Sequence, residues 1–122
     1  MEWIPQEKLT DEYQQGDVIS VPFPFTDLST SKPRPALVLS NNLVAGTEDV
    51  IIVMITSQQK ADGLNIEITS KDIDISLPKQ SFVRCHRVAT IDEKIISGKF
   101  ASITKDFLKT VVAAVYSLIE MK

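Results

Sequence analysis

The sequence has little cysteine and histidine, no long apolar run and no excess of positive charge. Its single cysteine, Cys85, cannot form a disulfide within the chain, and with only one histidine, His86, a Cys/His zinc cluster is not expected. No apolar run approaches the roughly 20 residues that a membrane-spanning helix needs, and no basic segment followed by an apolar one opens the chain. We therefore expect a cytoplasmic protein with no membrane segment, no metal and no cofactor.

The composition fits one ordinary globular domain. The chain has 122 residues, 43% of them hydrophobic, which leaves too little length for a second independent core. A formal net charge of −3 argues against a protein that is basic over its whole surface, as many nonspecific nucleic-acid binders are. We divide the chain into an amino-terminal arm, residues 1–15, and a domain, residues 16–122.

Short apolar and alternating segments predict a mainly β protein. Pro35 opens one strand, because a missing N–H is tolerated there, and Asp62-Gly63 is a hairpin-type turn signal. The predicted strands cover residues 18–23, 35–40, 50–55, 64–69 and 81–92. Within 81–88, strict alternation places Arg84 and His86 together on one face and Val83 and Cys85 on the other, in the core.

The carboxyl end carries the clearest helix signal. Thr104 is a good N-cap and Asp106 suits the positive end of the helix dipole. Apolar residues then recur at helical spacing, which predicts core packing: Phe107, Leu108, Val111, Val112, Val115, Leu118 and Ile119. Many short strands followed by one helix indicate a small antiparallel, partly open barrel capped by that helix.

Five polar residues could meet at one rim of such a barrel: Arg34, Thr56, Ser57, Arg84 and His86. Two guanidinium groups, two hydroxyls and an imidazole are what a phosphodiester site needs, because arginine presents a planar fork to phosphate oxygens and imidazole can move a proton. Each also has a plain structural explanation.

Arg34 could cap a bend or pair with Asp27, and Arg84 could be a cross-strand partner of Glu67. Thr56 and Ser57 could simply form a turn, and a lone histidine is more often structural than catalytic. Spacing alone supports a small barrel with an anion site and no more.

Three motifs in order add to this pattern. The chain resembles the MazF/PemK family of toxin endoribonucleases from about residue 16 to its end. The segments that carry the resemblance are GD (16–17) with VPFPFTD (21–27) and KPRPALVLS (32–40), then ITS (55–57), then SFVRC (81–85) with ATID (89–92).

The resemblance implies a barrel related to the Src-homology-3-like fold, a homodimer, and metal-independent, sequence-specific cleavage of single-stranded RNA in a prokaryotic cytoplasm. It also implies a cognate antitoxin that occupies the RNA groove and restrains growth inhibition by the toxin. By the same resemblance, Arg34 matches the catalytic arginine, Thr56 the catalytic hydroxyl residue with Ser57 beside it, and Arg84 a further arginine of some members.

The chain departs from the family pattern at two positions. Some members carry a carboxylate in the first loop where this chain has Ser29, with Asp27 as the nearest acid, and others carry an aspartate where this chain has His86. We assign catalysis to Arg34, Thr56 and His86, with His86 as a proton-transfer group. We assign substrate binding to Ser57, Arg84, Lys32, Asp27 and Lys60, with Lys79 and Arg87 as further candidate contacts to the RNA backbone.

The expected reaction is attack of a 2′-hydroxyl on the adjacent phosphorus, giving a 2′,3′-cyclic phosphate and a 5′-hydroxyl. Two noncatalytic alternatives stay open. One is a toxin that grips a topoisomerase, as the gyrase poison CcdB does on a related fold, because fold does not settle function. The other is a family member that has lost catalysis.

Overall fold

The computed structural model describes residues 13–22 and 32–122. Residues 1–12 of the predicted arm lie outside this range, so the arm and its boundary stay a prediction. All the predicted strands appear, with small shifts at their ends, and Gly98 begins a sixth. The strands are β1 (Asp17–Pro22), β2 (Pro33–Val38), β3 (Asp49–Thr56), β4 (Asn65–Ile68), β5 (Ser81–Asp92) and β6 (Gly98–Ser102).

The six strands form one antiparallel sheet in the order β4-β5-β3-β2-β1-β6. The sheet curls into an open half-barrel, and a helix, α1 (Lys105–Ile119), packs on it, so the expected partly open barrel with a carboxyl-terminal helix is confirmed. One feature differs from the sequence-based expectation. The chain does bend at Asp62-Gly63, with Gly63 at φ +81°, but β4 pairs with β5 and not with β3, so this bend closes no hairpin.

Apolar residues are buried on both faces of the central strands. One cluster lies under α1 and includes Leu37, Val53, Phe107 and Val111. The second lies on the other face and includes Ile19, Val38 and Ile52. This two-sided burial explains why β2 and β3 have continuous apolar runs, since each successive side chain points to an opposite, buried face.

Two prolines open the sheet between β2 and β3. β2 pairs with β1 along the whole segment from Pro33 to Leu37, but it pairs with β3 only over Ala36–Val38. Pro33 and Pro35 have no N–H to donate across that second gap. Continuing the register of Ala36 with Met54 by two residues places Arg34 opposite Thr56, at the point where the strands separate.

A bulge of several residues interrupts the pairing of β5 with β3. Val53 pairs with Val88 and Ile55 pairs with Val83, so Met54 alone stands opposite residues 84–87. Bulges bend a strand and re-aim its side chains. As a result, the strict alternation predicted for 81–88 fails. Phe82, Val83 and Cys85 are buried, whereas residues 86–88 are all exposed.

The helix begins as predicted but buries less than expected. The Thr104 hydroxyl accepts a hydrogen bond from Phe107 N at 3.1 Å, which caps the first turn. Only Phe107 and Val111 of the predicted stripe are buried in the single chain. Val112, Leu118 and Ile119 are 41%, 44% and 74% exposed, so part of the stripe predicted as core lies on the surface. A short 3-10 turn, Glu93–Ile95, follows β5. Among the described residues, neither this turn nor α1 is long and apolar enough to span a membrane.

Candidate nucleic-acid cleavage site

The separation of β2 and β3 forms a cleft of about 350 Å³, which we call the Arg34 cleft. Arg34, Thr56, Ser57 and Lys79 supply charged and polar groups to its lining. Its apolar walls and floor come from the prolines that flank Arg34 and from residues of the first core cluster and its neighbours: Pro33, Pro35, Val18, Ile55, Ile68, Ile73 and Leu77. The volume lies within the roughly 300–1,000 Å³ typical of ligand sites.

The Thr56 hydroxyl is oriented by its own loop. Thr56 is the last residue of β3, and its Oγ1 accepts a hydrogen bond from Gln58 N at 3.1 Å. A hydroxyl has two lone pairs and one hydrogen, so accepting this bond leaves its O–H free to donate. Thr56 therefore presents a donor at the same cleft as the Arg34 guanidinium.

A second cleft adjoins the first. This Arg84 cleft, about 220 Å³, is lined by Met54, Thr56, Gln58, Lys60, Arg84 and Arg87. The two clefts share three lining residues, Met54, Thr56 and Gln58. They therefore lie on either side of the end of β3 and form one continuous surface. The bulge in β5 produces this arrangement, because it brings Arg84 and Arg87 to the same side.

Arg84 is held in a fixed position by Asp62 and Asn65. Its Nη1 donates to Asp62 Oδ1 at 2.8 Å and to Asn65 Oδ1 at 2.9 Å, and its Nη2 donates to Asp62 Oδ2 at 2.7 Å. The hydrogen bond and charge of Arg84 lower the pKa of Asp62 well below its usual range, and Asp62 in turn raises the pKa of Arg84. Both groups are therefore ionised across the physiological pH range. Across the strands Arg84 pairs with Asn65, and its ion-pair partner is Asp62, three residues before Asn65. Glu67 is not its partner and instead accepts from Gln80.

The clefts are positively charged although the chain is acidic overall. The charged residues among their described lining residues are all basic: Arg34, Lys79, Lys60, Arg84 and Arg87. A cleft lined by one sign of charge concentrates oppositely charged ligands. The net charge of −3 thus conceals a local cationic surface that suits an anionic polymer.

The structure brings some of the predicted site residues together and leaves others apart. Arg34, Thr56 and Ser57 line one cleft, and Arg84 and Lys60 line the other with Thr56. Cys85 is buried as predicted, and burial raises the pKa of its thiol, as expected for a core residue.

Two predicted site residues are not brought to these clefts, and a third lies outside the described residues. Lys32 is exposed just before β2 and lines neither cleft. His86 is exposed on the bulge of β5 and also lines neither cleft. Asp27 lies outside the described residues, so its role stays a prediction.

Phe100 is a cleft residue that sequence reasoning missed. It lines the Arg34 cleft and is 46% exposed. Val18 pairs with Ala101 and Ile19 with Lys99, so Phe100 is an extra residue on β6 without a partner on β1. An exposed aromatic ring in the same cleft as a guanidinium group can stack on a nucleic-acid base.

Across residues 13–22 and 32–122, no group of three histidine, cysteine, aspartate or glutamate side chains is close enough together to hold a metal ion. Guanidinium, ammonium and hydroxyl groups are among the polar groups in the described lining of the two clefts. These groups can bind and polarise a phosphodiester.

Comparison with known families decides what kind of protein presents this site. The profile of the family described as PemK-like, MazF-like toxin of type II toxin-antitoxin system matches residues 14–119. The chain belongs to this family. The toxin matches no curated protein sequence significantly.

Several solved structures share the fold of this chain. An endoribonuclease in complex with its cognate antitoxin from a mycobacterial species is 16% identical, with a TM-score of 0.71 over 90% of this chain and 99% of that one. A MazE–MazF complex from Deinococcus radiodurans is 22% identical, with a TM-score of 0.71 over 90% and 97% of the two chains. The Mycobacterium tuberculosis toxin MazF-mt6 is 15% identical, with a TM-score of 0.68 over 87% and 98%. At these identities the likeness establishes the fold of the toxin.

Proposed function

We propose that this toxin is a metal-independent endoribonuclease that cleaves single-stranded RNA at short sequences and thereby inhibits growth. The observation that carries the proposal is that Arg34 and Thr56 line the same cleft, where two prolines separate β2 from β3. Family membership and the endoribonucleases among the structural neighbours favour this function over a topoisomerase-gripping toxin.

The proposed reaction is an in-line transesterification. The 2′-oxygen attacks the adjacent phosphorus and forms a new P–O bond, the bond from phosphorus to the 5′-oxygen breaks, and the products are a 2′,3′-cyclic phosphate and a 5′-hydroxyl. The 2′-hydroxyl loses its proton, and the leaving oxygen gains one. Negative charge grows on the phosphoryl oxygens, so fixed donors that meet this charge accelerate the step.

Arg34 and Thr56 take that role in the proposal. Flanking prolines restrict the backbone of Arg34, which reduces the freedom lost when its guanidinium binds the phosphate. The Thr56 O–H, already oriented by Gln58 N, donates the second hydrogen bond. His86 remains a proposed proton-transfer group from the sequence, but its exposed position outside both clefts supports it less than these two residues.

The remaining cleft residues bind the substrate in this proposal. Arg87, Lys60 and Lys79 contact RNA phosphates, and the exposed ring of Phe100 stacks on a base beside Arg34. Lys32 and Asp27 stay candidate contacts on sequence grounds alone.

We further propose that the toxin is a cytoplasmic homodimer. Val112, Tyr116 and Ile119 lie four and three residues apart on α1 and are 41%, 61% and 74% exposed, so they form one apolar face. A second copy of the chain would cover this face. Ile119→Lys should then shift the sedimentation-equilibrium mass from dimer to monomer, whereas a dimer that survives this substitution would place the interface elsewhere.

A cognate antitoxin is the second proposed partner. Structural neighbours are complexes of an endoribonuclease or a MazF toxin with an antitoxin. An antitoxin that occupies the clefts would compete with RNA, so adding it should abolish cleavage and RNA binding together.

The proposed function is tested by incubating the purified toxin, in EDTA, with a long mixed-sequence RNA and mapping every cut end. Cuts at one short motif, bearing 5′-hydroxyl ends and absent with Arg34→Ala, are the expected result. Intact RNA, or cuts that survive Arg34→Ala, would contradict the proposal. Capture of a topoisomerase by a protein that leaves RNA intact would instead favour the gyrase-poison alternative.

A further inference from the structure

The hydrogen bonds that hold Arg84 indicate a role other than attracting the negative charge of a ligand. Asp62 and Asn65 both bind Arg84, yet neither lines the Arg84 cleft. They therefore hold the guanidinium from outside the cleft, while Arg84 itself lines it. The Arg84 side chain is 16% exposed, so the group is largely enclosed by its neighbours.

The hydrogen bonds of Arg84 can be counted donor by donor. A guanidinium has five N–H groups. Both hydrogens of Nη1 are used, one by Asp62 Oδ1 and one by Asn65 Oδ1, and one hydrogen of Nη2 is used by Asp62 Oδ2. Among the described residues, Nε–H and the second Nη2–H have no acceptor. These two lie side by side on one edge of the planar group and form a two-donor fork.

Asp62 also changes which ligand this fork prefers. Because the carboxylate neutralises the guanidinium at 2.7 Å, a phosphate bound to the free edge would face a second negative charge across a single planar group. A neutral base edge meets no such repulsion. The pair therefore supplies two fixed donors with little net charge, which suits recognition of a base more than binding of a phosphate.

Given the proposed ribonuclease function, we infer that Arg84 is a specificity-determining residue that reads a base with two adjacent acceptors. Asp62 positions the Arg84 guanidinium for this contact. In single-stranded RNA, guanine offers O6 and N7, and cytosine offers O2 and N3. Adenine and uracil place a donor or a carbon between their acceptors. The Arg84 cleft thus selects guanine or cytosine at one position of the bound RNA.

Binding of short RNAs that cannot be cut tests this inference without any need for cleavage. Labelled 12-nucleotide 2′-fluoro RNAs lack the attacking hydroxyl, and their affinities can be measured by fluorescence anisotropy at several salt concentrations. Oligo-C and alternating GU are expected to bind more tightly than oligo-A and oligo-U, by about five- to 150-fold, the range for one bidentate contact with a base.

Two substitutions assign this preference to the pair. Arg84→Lys should abolish the preference, because an ammonium group has no planar fork. Asp62→Ala should weaken the preference and steepen the slope of log affinity against log salt by about 0.7, because it leaves an uncompensated cation beside the RNA. Asp62 is 43% exposed, so its replacement should leave the fold intact. Glu67→Gln is the matched control, since it removes one carboxylate from the neighbouring β4 and should change neither quantity.

Other outcomes would overturn the inference. If Arg84→Lys weakened all four RNAs equally and flattened the salt slope by about 0.7, Arg84 would be a phosphate contact and not a base reader. If the base preference were absent in the wild type, or survived in Arg84→Lys, the inference would also be wrong. Failure of the proposed ribonuclease would instead appear as uncut natural RNA, whatever these affinities are.

Discussion

Removing the Thr56 hydroxyl should damage cleavage far more than folding. Thr56→Val keeps the branched shape of the side chain and deletes one oxygen that has two roles in the structure. As an acceptor, that oxygen satisfies Gln58 N at 3.1 Å in an exposed loop, where water can replace it, so the free energy of unfolding should fall by only about 0.5–1 kcal/mol. As a donor to the phosphoryl oxygen, it should be worth about 10²–10³ in rate.

Single-turnover cleavage of a short RNA that carries the mapped cut site measures this effect, with RNA affinity determined separately. Thr56→Ser is the matched control, because it restores the hydroxyl and its bond to Gln58 N, and it should recover most of the wild-type rate. A Thr56→Val rate within about threefold of the wild type, equivalent to less than 1 kcal/mol of barrier, would refute the assigned role.

Four further outcomes follow from the structure. Phe100→Ala should weaken RNA binding by about 1–3 kcal/mol, the usual worth of one stacked base, whereas unchanged affinity would show that this ring contacts no RNA. The proton-transfer role that the sequence assigns to His86 predicts that His86→Gln lowers turnover more than affinity. Since His86 lines neither cleft, the geometry instead favours a turnover close to that of the wild type, and kinetics of the variant decide between the two. Thr104→Ala should lower the free energy of unfolding by about 1 kcal/mol in urea titration, because Phe107 N loses its acceptor. Finally, Arg84 holds the pKa of Asp62 below its ordinary value, so the unfolded chain binds the proton first as the pH falls. Any advantage of the wild type over Asp62→Asn in free energy of unfolding should therefore be fully present above the aspartate pKa of the unfolded chain, about 3.9, and should decline at lower pH. A constant advantage from pH 7 to pH 2 would contradict the ion pair.

The strands and the helix could be predicted because their signals are local. A continuous apolar run marks a strand buried on both faces, as in β3, and Thr104 before a helical apolar pattern marks a helix start. The shared position of Arg34 and Thr56 in one cleft could also be anticipated. The family motifs place Arg34 near the start of β2 and Thr56 at the end of β3, and these two strands are antiparallel neighbours.

The bulge in β5 could not be predicted in the same way. Its position depends on how β3 and β5 pair. The sequence offers one hint, because Phe82 and Val83 are both apolar whereas strict alternation of apolar and polar residues would make one of them polar. This bulge separates His86 from Arg84 and brings Arg87 to the cleft instead. The Asp62–Arg84 pair was missed for a related reason, since the two residues meet only because β4 pairs with β5 and not with β3.

Contacts between distant strands and between chains also lie beyond local patterns. Phe100 reaches the Arg34 cleft because β6 pairs with β1, which pairs with β2, and because a bulge turns the ring outward. On α1, helical periodicity identifies the apolar residues but does not say whether the sheet or a second copy covers them. Val111 is buried under the sheet, whereas Ile119, on the same helix, is 74% exposed.

The most direct test of the proposed site is a crystal structure of the toxin bound to a short RNA that carries the mapped cut site with a 2′-deoxynucleotide at the cleavage position. Without the attacking hydroxyl the RNA should bind and stay intact. We expect the scissile phosphate in the Arg34 cleft, within hydrogen-bond distance of both the Arg34 guanidinium and Thr56 Oγ1. RNA bound elsewhere, with its scissile phosphate away from these two groups, would contradict the proposed cleavage site.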